Sequence, residues 1–270
     1  MKVSRDQPIG VFDSGIGGLT VAHAIRNHLP NESMIYFGDT AHLPYGEKSE
    51  AAIQAYSVKI ADVLLKKRCK VIVIACNSAS SAAYELLREY VGKNVRIINV
   101  IDPMVHLVAE SFAGKQVGLI GTKRTVQSGV YVRKINELNK NIKVHSLATP
   151  LLAPMIEEGF FNNQISHEII AQYLADGSLD GIEALILACT HYPLIKKEIT
   201  GYYKGNMTIL DSSETVAFAL KNYLEKENLL NDSVAVKHHF LVSDFTESFE
   251  ASARLFFTES VHLEKHPLWD

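Results

Sequence analysis

Residues 71–80 read VIVIACNSAS, and residues 184–193 read ALILACTHYP. Each stretch begins with an apolar run that has no polar alternation, which is typical of a strand buried on both faces of a parallel sheet. Each run ends in Ala-Cys followed by a small polar residue, although the chain of 270 residues has only three cysteines. The sequence therefore predicts two buried strands that each end on a thiol, Cys76 in the first and Cys189 in the second.

Strand-like apolar runs alternate with segments of helical periodicity along almost the whole chain, which predicts parallel sheets joined by right-handed helical crossovers. A weak internal repeat is also visible, because GVFDSG at 10–15 is echoed by GLIGTK at 118–123. We expect an α/β fold of two similar parallel-sheet domains that face each other across a central cleft. The first domain is predicted to contain residues 1–100 and 211–270, and the second residues 101–210.

The same periodicity predicts where individual helices lie. Helices are expected to begin at Ser80 and at Val105, and one continuous helix is expected over 125–137. The pattern predicts no regular element between residues 148 and 164, and none after residue 257.

Composition and charge limit the classes of partner. A formal net charge of −3, from 27 basic and 30 acidic residues, gives no reason to expect nucleic acid or an anionic membrane as partner. No apolar run approaches the roughly 20 residues that span a bilayer, and the N-terminus lacks the apolar segment of a secretory signal. An odd number of cysteines argues against a disulfide framework, so we expect a cytoplasmic protein with free thiols.

The residues that directly follow the predicted strands identify a candidate ligand site, because ligands bind beyond the carboxyl ends of the strands in open α/β sheets. A single buried cysteine is usually a packing residue, and Cys69, which precedes a strand, is interpreted in that way. Two cysteines at two strand ends favour a functional role for both. The strand-end residues are small, polar or thiol-bearing: Asp13-Ser14, Gly38-Asp39, Cys76-Asn77-Ser78, Gly121-Thr122 and Cys189-Thr190-His191.

Several chemistries compete for the pair of thiols. A zinc site needs short-range pairs such as CxxC or HxxxH, and a redox pair is normally CxxC, but neither spacing occurs around these cysteines. We therefore predict no metal. A cysteine hydrolase could use Cys76 with His191, which would leave Cys189 unexplained. Proton transfer at a stereocentre uses both thiols, because it needs a base on one face of the carbon and an acid on the other.

Each thiol would need a neighbour that helps it to lose its proton, since an unperturbed cysteine has a pKa of about 8.5. Asp13, at the end of the first strand, could assist Cys76. His191, two residues after Cys189, could assist that thiol. The two side chains are therefore the candidate partners of the two cysteines.

Two loops carry further candidate ligand-binding groups. DSGIGGLTV at 13–21 is a glycine-rich turn that opens a helix and could aim backbone N–H groups at an anion. It lacks the spacing of a nucleotide-binding motif, so a carboxylate is the better expected ligand. GDTAHLPYGEKS at 38–49 combines a rigid turn with the Tyr45 hydroxyl, whereas His42 is interpreted as an ordinary loop residue.

The motifs GVFDSGIGGLTV, YFGDTAHLPYG, ACNSAS and ACTHYP together resemble the glutamate racemase family of the aspartate/glutamate racemase superfamily. The resemblance extends from about residue 9 to the low 220s. It implies two α/β domains with an active site between them. It also implies a cofactor-independent enzyme that interconverts L- and D-glutamate for peptidoglycan synthesis, in a family where homodimers are common.

The resemblance implies roles for individual residues. Cys76 would take the proton from D-glutamate with help from Asp13, and Cys189 would take it from L-glutamate with help from His191. Ser78 departs from the threonine that is common in the family, but it keeps the hydroxyl. Glu157 would lie near the second thiol. The implied substrate-binding residues are Asp13, Ser14, Tyr45, Gly46, Asn77, Ser78, Thr122, Thr125, Glu157, Thr190 and His191.

Two alternatives stay open from the sequence. The substrate could be aspartate or another acidic amino acid, because one methylene in a pocket changes binding by only about 1–3 kcal/mol. The chain could also be a non-catalytic carboxylate-binding or regulatory protein whose thiols only pack in the core.

Overall fold

The computed structural model describes residues 3–93, 95–232, 236–257 and 261–269, and within them the chain forms ten strands and eleven α-helices, with three short 3₁₀ helices between them. The strands are β1 (Ile9–Asp13), β2 (Met34–Gly38), β3 (Val71–Ile74), β4 (Arg96–Asn99), β5 (Gln116–Gly121), β6 (Lys143–Ala148), β7 (Ala184–Ala188), β8 (Thr208–Asp211), β9 (His238–Val242) and β10 (Leu263–Lys265). The helices are α1 (Leu19–His28), α2 (Glu50–Lys66), α3 (Asn77–Val91), α4 (Ile101–Ser111), α5 (Lys123–Gln127), α6 (Val130–Glu137), α7 (Leu152–Glu157), α8 (Gln164–Leu174), α9 (Lys196–Tyr202), α10 (Ser212–Lys226) and α11 (Glu247–Phe257).

The strands of the described residues form two sheets, and every pairing in them is parallel. The first sheet has the order β10-β9-β2-β1-β3-β4, and the second has the order β6-β5-β7-β8. The central part of the first sheet, β2-β1-β3-β4, therefore repeats the order of the second. This shared topology confirms the two similar α/β halves that the sequence predicts.

The central strands are buried along their whole length, as their apolar sequences predict. Every residue of β1, β3 and β7 is buried, because helices cover both faces of each sheet. Polar side chains in these segments therefore occur only where a strand ends. Cys76 follows β3 and Cys189 follows β7, which are the third strands of the two repeats.

The C-terminal strands return to the first sheet. β9 pairs with β2, and β10 adds to β9 at the edge. We propose the domain division of 1–100 with 211–270, and of 101–210, and sheet membership supports it because β5 to β8 alone form the second sheet. The sequence does not reveal β10, since three residues are too few to show alternation.

Two helices begin earlier than the sequence predicts, because side chains at the strand ends cap them. α3 begins at Asn77 rather than Ser80, since the Cys76 sulfur accepts a hydrogen bond from the Ala79 N–H at 3.4 Å. α4 begins at Ile101 rather than Val105. There the Asn99 Oδ1 atom accepts hydrogen bonds from the first two helical N–H groups, each at 2.8 Å.

Two other segments also differ from the sequence-based expectation. The helix expected over 125–137 is divided into α5 and α6, because Gly129 adopts a left-handed φ of 61° between them. The short helix α7 was not predicted, since Pro154 and Gly159 lie within and just after a segment of only six residues. The last residue of α7 is Glu157, one of the candidate site residues.

All three cysteines are free and buried. The Cys69 sulfur lies 3.0 Å from the position that a Cβ atom on Gly10 would occupy, so Cys69 fills the space that this glycine leaves, as a packing residue does. None of the helices in the described part of the chain has both the length and the apolar character that crossing a membrane requires.

Candidate active site

Both strand-end thiols line one cavity at the carboxyl ends of the two sheets. Cys76 and Cys189 are 5% and 6% exposed, and both belong to the lining of this cavity. The cavity has a volume of about 30 Å³. Its lining comprises Ser14, Pro44, Tyr45, Gly46, Cys76, Asn77, Ser78, Thr122, Ala153, Glu157, Ala188, Cys189, Thr190 and His191.

Contacts between the two halves hold this cavity closed. The Ser78 and Thr122 hydroxyl oxygens lie 2.9 Å apart, and a Cβ atom on Gly46 would approach the Thr122 Cβ to 2.9 Å. The Thr20 hydroxyl donates to the Thr190 carbonyl at 2.9 Å. A volume of about 30 Å³ has room for about two water molecules.

The first thiol lies in an environment that keeps it protonated. Burial and the negative charge of Asp13 raise the pKa of Cys76 to about 12. The hydrogen bond from the Ala79 N–H and the contact with the Ser14 hydroxyl, 3.6 Å from the sulfur, act in the opposite direction but are weaker. Cys76 is therefore a thiol at neutral pH, available as an acid.

Asp13 is the carboxylate behind this thiol, and it is fully buried. Its Oδ2 atom accepts hydrogen bonds from the N–H groups of Gly15 at 3.2 Å and Gly18 at 2.9 Å. The expectation that the glycine-rich turn binds a ligand carboxylate is therefore wrong for these two N–H groups, because the Asp13 side chain occupies them. Burial raises the pKa of Asp13, although the positive charge of His191 opposes that rise.

The second thiol has an imidazole as its neighbour. The Cys189 sulfur lies 3.6 Å from His191 Nδ1, and His191 Nε2 lies 2.9 Å from Glu157 Oε1, at ion-pair distance but without the alignment of a hydrogen bond. Burial alone would lower the pKa of His191, but its hydrogen bond with Cys189 and the Glu157 carboxylate raise that pKa well above its usual value. A charged imidazolium stabilises negative charge on an adjacent sulfur.

The packing around His191 fixes the position of its ring. The Phe256 ring meets it edge-on with centroids 5.4 Å apart. On another side a Cβ atom on Gly17 would lie 2.4 Å from the imidazole Cε1, so only glycine fits at that position. The adjacent Gly18 has the same relation to Asp13, whose Cβ atom would be 2.4 Å from an added methyl group.

Most of the candidate residues from the sequence line the cavity, but Asp13 and Thr125 lie behind its wall. The Thr125 hydroxyl is 3.1 Å from that of Thr122 and 3.4 Å from that of Ser78, so it supports the contact between the two halves. Asn77 presents a buried Nδ2 atom that has no hydrogen-bond partner among the described residues. The Oδ1 atom of Asp13 is likewise buried and without a partner there.

Sequence reasoning missed several residues that hold the site together. The sequence places Asp39 at a strand end but indicates no role for it. Its Oδ2 atom accepts a hydrogen bond from the Tyr45 hydroxyl at 2.6 Å, and its Oδ1 atom accepts one from Ser243 at 2.6 Å. His42 lies 2.7 Å from the same Oδ1 atom, so it supports this network. The Tyr131 hydroxyl donates to Asn77 Oδ1 at 2.8 Å, a contact that no sequence motif indicates.

The arrangement can supply two acid–base groups to one small ligand, and it contains hydroxyl and amide donors that suit an anion. In the described part of the chain, no group of three or more His, Cys, Asp and Glu side chains is arranged to hold a metal ion. The chemical groups that face the cavity are thus the two thiols, the His191–Glu157 pair and neutral hydrogen-bonding side chains.

Comparison with known proteins places these features in a family. Residues 19–219 match the family model for Asp/Glu/hydantoin racemases. The glutamate racemases of Chlorobaculum parvum and of Neisseria meningitidis serogroup A are 39% and 40% identical over 256 residues, which is 94% of each chain. The crystal structure of glutamate racemase from Francisella tularensis in complex with D-glutamate superimposes with a TM-score of 0.92 at 38% identity, over 98% of this chain and 99% of that one. With a family match over most of its length and relatives near 40% identity, the chain belongs to the Asp/Glu/hydantoin racemase family of isomerases.

Proposed function

We propose that this protein is a glutamate racemase that interconverts L- and D-glutamate by proton transfer between Cα and two cysteines. The observation that carries the proposal is the placement of Cys76 and Cys189 at equivalent strand ends of two repeats, facing one cavity. Relatives at 39–40% identity are glutamate racemases, and a structural neighbour is a glutamate racemase in complex with D-glutamate. The thiols serve as base and acid, so the reaction needs no cofactor.

In the reaction of L-glutamate, one sulfur takes a proton from Cα and the other sulfur gives one to it. The Cys189 thiolate removes the Cα proton, so the C–H bond breaks, an S–H bond forms, and the electron pair moves toward the α-carboxylate. The Cys76 thiol then delivers its proton to the opposite face of Cα and becomes a thiolate. The product is D-glutamate, and the two sulfurs have exchanged protonation states.

The electrostatics of the site fit this direction of reaction. The pKa of Cys76, raised to about 12, keeps its proton available for donation. The raised pKa of His191 keeps an imidazolium beside Cys189, which favours the thiolate. For D-glutamate, Cys76 must first lose its proton, and Asp13 is the acceptor that we propose, because burial raises its pKa and makes it a stronger base.

The family resemblance and the lining of the cavity also support proposals about the substrate-binding residues, the use of the product and the oligomeric state. Ser14, Tyr45, Gly46, Asn77, Ser78, Thr122, Thr190 and Glu157 would bind substrate, with Thr125 supporting Thr122. The product would supply D-glutamate for peptidoglycan synthesis in the cytoplasm, where the free thiols are stable. The resemblance also favours a homodimer, which sedimentation would test.

Deuterium incorporation at Cα tests the proposal. Either enantiomer of glutamate, incubated with the protein in D₂O, should exchange its Cα proton and lose optical rotation. Cys76→Ser and Cys189→Ser should each abolish racemisation, whereas Cys69→Ala, which removes the packing cysteine, should keep it. Full racemisation in either serine variant would refute the two-base mechanism.

The same assay separates the alternatives. Faster turnover of L-aspartate than of L-glutamate would identify a different acidic amino acid as substrate. Tight binding of glutamate without any Cα exchange would identify a carboxylate-binding protein instead of an enzyme.

A further inference from the structure

The side-chain oxygen of Asn77 has a hydrogen-bond partner, but its side-chain nitrogen has none among the described residues. Asn77 is the first residue of α3, is 2% exposed and lines the cavity between the two thiols. Its Nδ2 atom is buried and finds no hydrogen-bond partner among the described residues. Buried N–H groups are almost always paired, so an unpaired amide donor in a cavity indicates that a ligand acceptor belongs there.

The other end of the same amide is held from across the cleft. Tyr131 belongs to α6 of the second half and is 2% exposed, and its hydroxyl donates to Asn77 Oδ1 at 2.8 Å. Burial raises the pKa of Tyr131 above its usual value, so the hydroxyl stays protonated and remains a donor. A donor at this position selects one of the two orientations of the amide, since it pairs with the carbonyl oxygen and not with the NH₂ group.

We propose that Tyr131 is a positioning residue that orients the Asn77 amide so that its NH₂ group donates to a carboxylate of the bound amino acid. The inference rests on the proposed function, because it takes glutamate as the ligand of the cavity. Without the Tyr131 hydroxyl, the amide is free to rotate by half a turn. It would then present Oδ1 to the ligand carboxylate, and two acceptors would face each other.

The hydrogen bond between Tyr131 and Asn77 joins segments that follow strands of different sheets. Asn77 begins α3, which follows β3 of the first sheet, whereas Tyr131 belongs to α6, which comes after β5 of the second. The Ser78–Thr122 contact, at 2.9 Å, likewise joins residues that follow β3 and β5. The orientation of the Asn77 amide therefore depends on a residue far from it in the chain.

A double-mutant cycle tests the role of Tyr131. Tyr131→Phe removes only the hydroxyl, and we expect about a tenfold rise in KM for both enantiomers with kcat within about twofold of the unmodified protein. Asn77→Ala should raise KM by at least as much. Because Tyr131 acts through Asn77, adding Tyr131→Phe to Asn77→Ala should cause no further loss.

Matched controls separate this role from a general loss of stability. Tyr203→Phe removes another tyrosine hydroxyl of the second half, one that is buried without a hydrogen-bond partner among the described residues, and should leave both constants unchanged. Thermal melting of each variant reports folding. If Tyr131→Phe did not fold, Asn77→Asp would supply a second test. Its carboxylate can still accept from Tyr131 but offers no N–H to the cavity, so substrate affinity should fall more than tenfold.

The outcomes distinguish the two proposals. If the unmodified protein does not exchange the Cα proton of glutamate, the proposed function fails. If the unmodified protein is active but Tyr131→Phe matches it, or if the losses of the two single variants multiply in the double variant, the role of Tyr131 is refuted. Unchanged affinity in Asn77→Asp would refute the role of the amide donor.

Discussion

The two halves of the site occupy equivalent positions in the repeat but carry opposite charge around their thiols. Cys76 is the N-cap residue of α3, and its charged neighbour is the buried carboxylate of Asp13. Burial and this negative charge raise the pKa of Cys76 to about 12. Cys189 has an imidazole, His191, whose pKa is raised well above its usual value by that sulfur and by Glu157. The comparison shows that one repeated fold places a carboxylate near one thiol and an imidazole near the other, which is the asymmetry that the proposed acid and base require.

The difference between the surroundings of the two thiols does not appear in kcat/KM. L- and D-glutamate are mirror images with equal free energy in water, so kcat/KM must be the same in both directions for every variant. A change to either half therefore lowers kcat/KM equally in both directions. Isotope effects can still separate the halves, since in the proposed mechanism Cys189 removes deuterium from Cα of the L-enantiomer and Cys76 removes it from the D-enantiomer.

Removing the partner of each thiol should have the largest effect. Asp13→Asn and His191→Asn are each expected to lower kcat/KM by about 10²- to 10⁴-fold. The first removes the carboxylate proposed to accept the Cys76 proton, and the second removes the imidazolium proposed to stabilise the Cys189 thiolate. In Asp13→Asn the step at Cys76 becomes limiting, so α-deuterated D-glutamate should show the larger primary isotope effect. In His191→Asn, α-deuterated L-glutamate should show it.

The two isotope effects control for each other, since a variant that is only misfolded lowers activity without changing which enantiomer shows the larger effect. Equal isotope effects for both enantiomers in both variants would contradict the assignment of Asp13 to the first half and His191 to the second.

The two adjacent glycines of the turn allow the same comparison with a smaller perturbation. A Cβ atom on Gly18 would meet Asp13, and one on Gly17 would meet the His191 ring, each at 2.4 Å. Gly18→Ala should therefore displace Asp13, the neighbour of Cys76, and Gly17→Ala should displace His191, the neighbour of Cys189. Each should lower kcat/KM by up to about 10²-fold. Gly201→Ala, at a position with no atom within 4 Å of the added methyl group, is the control and should retain activity.

The isotope effects again show which half is displaced. Gly18→Ala should follow the pattern of Asp13→Asn, and Gly17→Ala that of His191→Asn. If both alanine variants followed a single pattern, the turn would act on the site as a whole and not on each half separately.

Much of this comparison could be predicted from the sequence, because parallel strands bring their carboxyl ends to one edge. That rule places Asp13, Cys76 and Cys189 at the sheet ends, and His191 follows from its position two residues after Cys189. The short helix α7 could not be predicted, so Glu157 came only from the family resemblance. Its approach to His191 at 2.9 Å depends on tertiary packing.

Two other features depend on contacts that no local pattern encodes. The glycine-rich turn predicts N–H donors for a ligand, but the Asp13 side chain itself accepts the bonds from Gly15 and Gly18. Tyr131 reaches Asn77 across the cleft, from a helix whose sequence shows only ordinary periodicity. Such contacts join residues far apart in the chain, and only the packing of the two halves determines them.

Alkylation rates should test whether the two thiols differ in reactivity, as the proposed mechanism requires. The thiolate is the reactive form, and a pKa of about 12 leaves about one Cys76 in 10⁵ ionised at pH 7. We expect iodoacetamide to modify Cys189 at least tenfold faster than Cys76, as measured by peptide mass spectrometry. Cys69, whose pKa burial also raises to about 12, should react slowly and serves as the internal reference.

His191→Asn should remove the advantage of Cys189 in the same experiment, because no imidazolium then stabilises its thiolate. Faster modification of Cys76 than of Cys189 in the unmodified protein would reverse the proposed resting state.

The smallest effect is expected from Glu157→Gln, which changes one charge in the second half and keeps the shape of the side chain. Glu157 raises the pKa of His191, so its removal lowers that pKa, and the imidazolium loses its proton at a lower pH. The basic limb of the pH profile of kcat/KM should therefore move to lower pH, whatever the loss of the carboxylate does to the height of the profile. The shift should be less than about one pH unit, since Glu157 is 23% exposed and partly exposed ion pairs contribute only about 0.2–1 kcal/mol. An unchanged limb, or one that moves to higher pH, would show that Glu157 does not set the charge of His191, and the contrast between the two halves would then rest on Cys189 and His191 alone.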